Sequence, residues 1–445
     1  MKNTFKLFGI IAVIAVIGFS MAGCDNGSPA GPGGEPPLPP LDFTVTFDTS
    51  FGTPVPAQNV PEGGFAARPA DDPTRAFGHG AGLWAHPMPG YIFDGWFAPE
   101  AIVEFAFATT PITEDITLLA HWTAPAPIAT TVPAAMAHVS NAENPGAFTL
   151  LLGADVTLTG AAWTLAENVH LTVEGIGERR TITRSGNGTL FTVTGEYRSL
   201  TLGYNITLEG HSGNNNPLVN VLAGGSLTMN AGAWITGNTV SGSGVPGAVN
   251  VSGAGSTFTM NGGKISGNTA NDSSGGGVRV AVGASFVMHE GAVIRNNTTT
   301  GNNSGGGVIV VTAASFVMHE GAVIRDNEAE GNNSAGGVFV GDAGSTFTML
   351  GGEIRGNEAT GTASTVGGVR VNIGAFQMVT GVIYGGDEGD TNSNTGVTNH
   401  ALLLTAGGTA TLGTMVGGVF TPADPAVTLG NTDDTIRVED GVRQQ

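Results

Sequence analysis

Over the last two-thirds of the chain, short runs of alternating apolar and polar residues are separated by clusters of Gly, Asn and Ser. Val278 and Val280, or Phe286 and Met288, stand two positions apart, which puts each pair on one face of an extended strand. The runs recur with a fixed period. Ile235, Ile265, Ile294, Ile324, Ile354 and Ile383 are separated by 30, 29, 30, 30 and 29 residues. Met229, Met260, Met288, Met318, Met349 and Met378 form a second column, with Leu227, Phe258, Phe286, Phe316, Phe347 and Phe376 two residues ahead of them. Val249, Val278, Val308, Val338 and Val369 form a third, four of them preceded by Gly-Gly. Helical repeats are excluded, because a helix needs apolar residues three and four apart and does not tolerate clusters such as SSGGG or GNNSGGG. The pattern predicts three short strands per period, each period one coil of a parallel β-solenoid with coils about 4.8 Å apart.

Stacking gives the recurrent polar positions a meaning. Asn238, Asn268, Asn297, Asn327 and Asn357 each follow an Ile by three residues. There the amide is expected to take a left-handed turn and hydrogen-bond its copy one coil away, a structural ladder in preference to a row of glycan-binding amides. The glycine pairs are expected at turns with positive φ. A looser strand rhythm continues upstream through VTLTG at 156–160, VHLTVEG at 169–175, RTITRSG at 180–186, LFTVTG at 190–195 and LTLGYNITLEG at 200–210. Downstream, HALLLTAGG at 400–408 and TIRVEDG at 435–441 close it. The solenoid is therefore set at residues 147–440, with 441–445 as a tail.

The preceding segments differ in character. Residues 124–146 begin as a Pro/Ala linker; Thr131 and Pro133 then start a short helix with Ala135, Met136 and Val139 on its apolar side. Its expected task is to cover the first open edge of a sheet. Residues 42–123 carry the strand-like runs FTVTFDT at 43–49, GYIFDGWF at 90–97 and ITLLAHW at 116–122, enough for a small β module with an aromatic core. Within it FGHGAGLWAHPMP, residues 77–89, holds His79, Trp84 and His86 and reads as an inserted flexible surface loop, in preference to a metal or ligand role for the two histidines. Residues 24–41, rich in Pro and Gly, read as a tether. Residues 1–23 have export-signal architecture: Lys2 and Lys6, a thirteen-residue apolar run from Leu7 to Phe19 too short to span a bilayer, then small residues up to Gly23.

Composition narrows the function. The chain has 72 glycines and only 12% charged residues, which rules out coiled coils and helical bundles. Its 36 acidic residues against 16 basic ones give a net charge of −20, which argues against nucleic acid as a partner. The single cysteine, Cys24, excludes an intrachain disulfide.

Three constellations invite chemistry. SFVMHEGAVIR occurs identically at 285–295 and 315–325, so stacking brings His289 over His319 and Glu290 over Glu320. Duplication copies exposed residues whether or not they act, and no metal is assigned to the quartet. In the loop at 385–396, Asp390, Asn392 and Asn394 have the alternate spacing of a Ca²⁺ loop, but Gly396 comes one place late and Ala401 stands where a bidentate Glu belongs. It reads as a solvated polar loop. Arg295, Arg325 and Arg355 form an outward column whose like charges need neutralising, and Asp326, Glu328, Glu353 and Glu358 are expected to do it, in preference to a bound anionic glycan. No phosphate loop, zinc-ligand cysteine cluster or nucleophile elbow is present. No catalytic, cofactor-binding or metal-binding residue is assigned, and no cofactor is expected.

Some of these segments resemble known families. Ser20 to Cys24 resembles a bacterial lipobox, with Met21 where such signals usually carry Leu, as in spirochaete-like lipoproteins. The resemblance implies that Cys24 is lipidated and anchors the chain to a membrane. VTFDT, VPEGG at 60–64, DPTR at 72–75, FDGWF at 93–97 and ITEDITLLAHW at 112–122 resemble the internalin-type B repeat, or Listeria-Bacteroides repeat, a small β-grasp-like module of bacterial surface proteins. Residues 147–440 resemble a right-handed parallel β-helix of the pectate-lyase-like class. Together these imply a mainly β, lipid-anchored cell-envelope protein at the outer membrane or cell surface. The expected role is that of a non-catalytic adhesin or structural display protein with a host or matrix glycan or protein as partner. The alternative is a β-helix polysaccharide lyase or hydrolase, or a glycan-binding lectin.

Overall fold

The computed structural model describes residues 41–444 apart from 77, 243, 273, 387–391 and 399, so Cys24 and Asp390 lie outside the described residues. Every repeat column of the sequence becomes a stacked strand. One central coil runs through Val278–Ala281, Ser285–Met288, Val293–Arg295 and Thr298–Thr299. Each strand pairs in parallel with its copy one coil on: Val278 with Val308, Phe286 with Phe316, Ile294 with Ile324 and Thr299 with Ala329. The fourth strand is a correction to the three expected per period. At two residues it is too short for alternation to reveal. The stacks form sheets of nine, twelve, eleven and six strands, a parallel β-solenoid of about eight turns.

The inward residues build one continuous core. Phe258, Phe286, Phe316, Phe347 and Phe376 are fully buried, and their successive ring centroids lie 4.7, 4.9, 4.6 and 5.1 Å apart. The ring spacing is the coil rise, so each aromatic face is covered by the next.

The asparagine ladder exists and is buried. Asn268 Nδ2 donates to Asn297 Oδ1 at 3.0 Å, Asn297 to Asn327 at 3.0 Å, Asn327 to Asn357 at 2.9 Å and Asn357 to Asn394 at 3.0 Å. Asn394 is therefore the ladder's last rung and not part of a solvated loop, a correction to the sequence expectation. The left-handed residue is also one place earlier than expected. Gly237, Gly267, Asn296, Asp326 and Gly356 have φ between 52 and 71°, whereas the ladder residues have negative φ. The turn and the amide thus divide the corner between them. The glycine pairs need a different explanation from positive φ, since Gly276, Gly277, Gly306 and Gly307 do not adopt it. A Cβ on Gly276 would sit 2.4 Å from the Gly306 carbonyl oxygen, so backbone approach between coils excludes a side chain.

Asn327 satisfies several buried groups at once: its Nδ2 also reaches the Ile294 carbonyl at 3.1 Å, and its Oδ1 accepts from the Asn297 backbone N–H at 3.1 Å. Asn327→Ala is expected to destabilise the array by about 3 kcal/mol, because more than one buried partner is orphaned. Urea denaturation matching the parent would show the ladder to be dispensable.

Both ends of the solenoid are covered. At the start, Val132–Val139 is helical as expected, with the Thr131 side chain accepting from the Ala134 N–H at 3.4 Å. Ala135, Met136 and Val139 enter the solenoid core. The segment read as a flexible surface loop is corrected: Gly82–Ala85 is a strand, paired antiparallel with Gly146–Leu152, the first strand of the twelve-stranded stack. Leu83 is 0% and Trp84 2% exposed, and Leu83 exchanges backbone hydrogen bonds with Ile128 and Ala129. Burying Leu83 outweighs the flexibility suggested by the flanking Gly and Pro. At the far end the hairpin of Thr409–Val416 and Val419–Thr428, together with Ile436–Glu439 running antiparallel to Gly381–Ile383, ends the parallel stacking.

The remaining N-terminal strands form a separate four-stranded sheet in the order Gln58–Pro61, Asp42–Asp48, Ile116–Thr123, Ile92–Phe97, with the first and last in sequence parallel at its centre. Its core is aromatic, with Phe47 4.8 Å from the fully buried Trp96.

Candidate functional site

The strands of the eleven-stranded sheet from Trp234–Thr236 to Glu353–Arg355 each point their Ile inward, so the residues before and after it face outward. The leading outward positions stack Trp234, Lys264, Val293, Val323 and Glu353 in register. The trailing ones stack Thr236, Ser266, Arg295, Arg325 and Arg355. Arg179 reaches onto this face from an earlier coil and donates to the Gly232 carbonyl at 2.7 Å. Its guanidinium carbon lies 3.8 Å from the Trp234 ring centroid, and Lys264 Nζ lies 4.3 Å from the same centroid. The ring's quadrupole holds both cations on one indole.

The charges on this strip are only partly compensated. Arg325 pairs with Asp326, and Arg355 with Glu353 at 3.1 Å and Asn392 Oδ1 at 3.0 Å, as expected in kind. Glu328 and Glu358 do not serve the column. They lie beyond the Asn corner on the six-stranded sheet, in register with each other. Burial, then Glu330 and Glu358, push the Glu328 carboxyl above its usual range. Arg179, Lys264 and Arg295 have no ion pair among the described residues, and Arg295 Nε is buried without a hydrogen-bond partner. Burial lowers the Lys264 pKa, and Arg295, Arg325 and Arg179 lower it further. Three cations without an ion pair among the described residues therefore stand on one face of a strongly acidic chain.

On the flank of the same sheet Glu290, Glu320, Glu353, Glu439 and Asp440 line a cleft of about 810 Å³. Stacking does bring His289 over His319, with ring centroids 4.5 Å apart and planes 24° from parallel. Burial and His289 lower the His319 pKa. Near-parallel rings aim their lone pairs side by side and not at one point, and no group of three metal-ligating side chains occurs among the described residues. In the N-terminal capping segment His79 packs edge-on to Trp84 at 4.9 Å and His86 lies 3.5 Å from Thr149 Oγ1, so each is placed by packing. Asn392 serves Arg355 and Asn394 serves the ladder, which leaves the loop's Ca²⁺-like spacing without converging ligands among the described residues.

Arg179, Trp234 and Lys264 were not singled out from the sequence. Trp234 and Lys264 directly precede Ile235 and Ile265, so the repeat column did carry their position. Arg179 belongs to an irregular coil, and no spacing announces it. No family model matches the chain, and neither a curated protein nor a solved structure matches it.

Proposed function

We propose that this is a lipid-anchored, non-catalytic adhesin of the bacterial cell envelope, whose solenoid holds a basic strip out for an acidic glycan of a host or matrix surface. The observation that carries the reading is the set of three cations without carboxylate partners among the described residues, Arg179, Lys264 and Arg295, on one open sheet face of a chain with net charge −20. A polyanion meets repulsion over most of the surface and attraction here, which fixes where it docks. The Trp234 ring is already engaged by two cations, so it is not the bare stacking platform that single-stranded nucleic acid uses. In this reading residues 1–23 are a lipoprotein signal, Cys24 carries the lipid at the outer membrane or cell surface, and 24–41 is the tether. Residues 42–123 are a module of the internalin-type B-repeat kind, and the solenoid is a right-handed β-helix of the pectate-lyase-like class. The structure-only role, display without a ligand, is the same architecture without use of the strip.

Binding of a uronate-rich and a sulfated polysaccharide to the full chain, measured at low and high salt, tests the strip. Lys264→Gln combined with Arg295→Gln is expected to weaken binding at least about tenfold and to flatten its salt dependence. Unchanged binding rejects the strip as the docking face. The acidic cleft favours a second reading, a polysaccharide lyase or hydrolase, since such chemistry works through carboxylates. Release of products from the same polysaccharides, lost in Glu320→Gln, would establish that reading in place of the adhesin.

A further inference from the structure

We propose that the outer face of the eleven-stranded sheet is one half of a symmetric interface, on which a second copy of this chain docks side by side and in the same direction. The sequence EGAVIR, present at 290–295 and again at 320–325, sets a Glu and an Arg five residues apart on two successive coils. Arg295 and Arg325 stand in register on the trailing margin of the face, and Val293 and Val323 stand in register on the other side of the inward Ile. Glu290 and Glu320 line the cleft on the leading margin, together with Val323. A Cβ on Gly321 would sit 2.6 Å from Glu290 Cγ, so the Glu290 stem lies over the turn of the next coil. On the flanking coils the same turn reads NGG at 261–263 and LGG at 350–352, without a carboxylate. The opposed Glu and Arg margins are therefore confined to the two central coils.

Both margins are short of partners within the chain. Glu290 and Glu320 have no ion pair among the described residues. Arg295 has none there either, and its Nε is buried without a hydrogen-bond partner. Arg325 holds Asp326 through Nη1 and keeps further N–H groups of its fork. A basic ligand would satisfy only the carboxylates, and an acidic one only the arginines. A second copy supplies both, in the mirrored order.

A twofold axis running along the solenoid between two such faces lays each coil against the same coil of its partner with the margins exchanged. Arg295 then meets the partner's Glu290, Arg325 meets the partner's Glu320, and the reciprocal pairs form by symmetry. Val293 and Val323 meet their own copies at the centre. An antiparallel pair would leave the margins unexchanged, with Arg against Arg and Glu against Glu, so the charges select the parallel sense. Arg179, Trp234 and Lys264 lie beyond the two coils, so this interface and a ligand on the basic strip share Arg295 alone. The contact rests on two coils about 4.8 Å apart and buries well under the roughly 1,200 Å² of a stable complex, which makes the pair weak in solution. Two chains tethered to one surface by the same end would gain from their raised local concentration.

The test is sedimentation velocity of the full chain at low salt, without glycan, from about 10 to about 500 µM, where a dimer with a Kd on the order of 100 µM is expected. Added salt is expected to weaken it. Glu320→Arg and Arg325→Glu are each expected to weaken self-association at least about tenfold, because each turns both of its ion pairs into like-charge contacts. Mixing the two variants is expected to restore association, since the exchanged charges then match across the axis. If either variant folds poorly, Glu290→Arg mixed with Arg295→Glu carries the same expectation one coil away. Val323→Cys alone is expected, on mild oxidation, to give a disulfide between the two copies of position 323, identified by mass spectrometry and so distinct from any bond to Cys24. A parent that stays monomeric throughout, association indifferent to the charge swaps, or no recovery on mixing would each overturn the proposal. So would a disulfide that forms only between Val293→Cys and Val323→Cys chains, which is the antiparallel arrangement.

Discussion

Ile324→Asp is expected to abolish cooperative folding of the solenoid. Ile324 is 0% exposed and is paired in register between Ile294 and Ile354, each also fully buried. A carboxylate there has neither water nor a counterion. The penalty for isolating such a charge exceeds the roughly 5 to 15 kcal/mol that stabilises a typical domain. The site is central, so both neighbouring interfaces fail at once, and in a linear array each coil depends on those interfaces. Ile324→Val keeps the shape and is expected to cost only about 1 kcal/mol. Urea melts followed by far-UV circular dichroism check both variants. Coincident melts for Ile324→Asp and the parent would show that residue 324 does not lie in a dry stack.

Ile324 also illustrates why the array was legible. In a parallel stack, one coil's environment is the next coil's environment, so the same residue type is required at each period. The Ile, Phe, Met and Val columns therefore name the core directly, and the structure buries each of them. The turn columns were harder, because several physical demands share one corner. Left-handed backbone falls on Gly237, Gly267, Asn296, Asp326 and Gly356, while the neighbouring Asn supplies the hydrogen bonds. Residue type at the first set varies, so the more regular Asn column attracted both roles. The candidate site was legible only in part for a related reason. Glu328 is three residues from Arg325, but Asn327 turns the chain between them onto another sheet. Nearness in sequence thus overstated pairing, and Arg295 was left without the carboxylate expected for it.

Deleting the segment around Gly82–Ala85, or opening it with Leu83→Asp, is expected to turn the chain into a self-associating one. This strand was the least visible element, four residues long, set among Gly and Pro, with its partner more than sixty residues further on. In the folded chain it pairs Leu83 with Leu150 and Trp84 with Thr149, closing the edge of the twelve-stranded stack. Loss of the burial of Leu83 and Trp84 removes about 3 to 6 kcal/mol of local stabilisation. It also bares the N–H and C=O groups of Gly146–Leu152, a seven-residue strand in which Phe148, Leu150, Leu151 and Leu152 are all buried in the parent. A long apolar edge with free backbone groups recruits strands from other chains. The helix Val132–Val139 covers the end of the core but does not pair with that edge. A fragment starting at residue 125 keeps this helix and loses the strand, and is expected to behave like the deletion: β-rich by circular dichroism, yet of higher mass than the parent per chain by light scattering and increasingly so with concentration. A Leu83→Asp chain with the parent's mass at every concentration would mean that the edge is protected without its paired strand. The N-terminal module would then be joined to the solenoid only as a passenger, whereas association on losing four residues would make that module the part that keeps a stack of parallel coils from growing end to end.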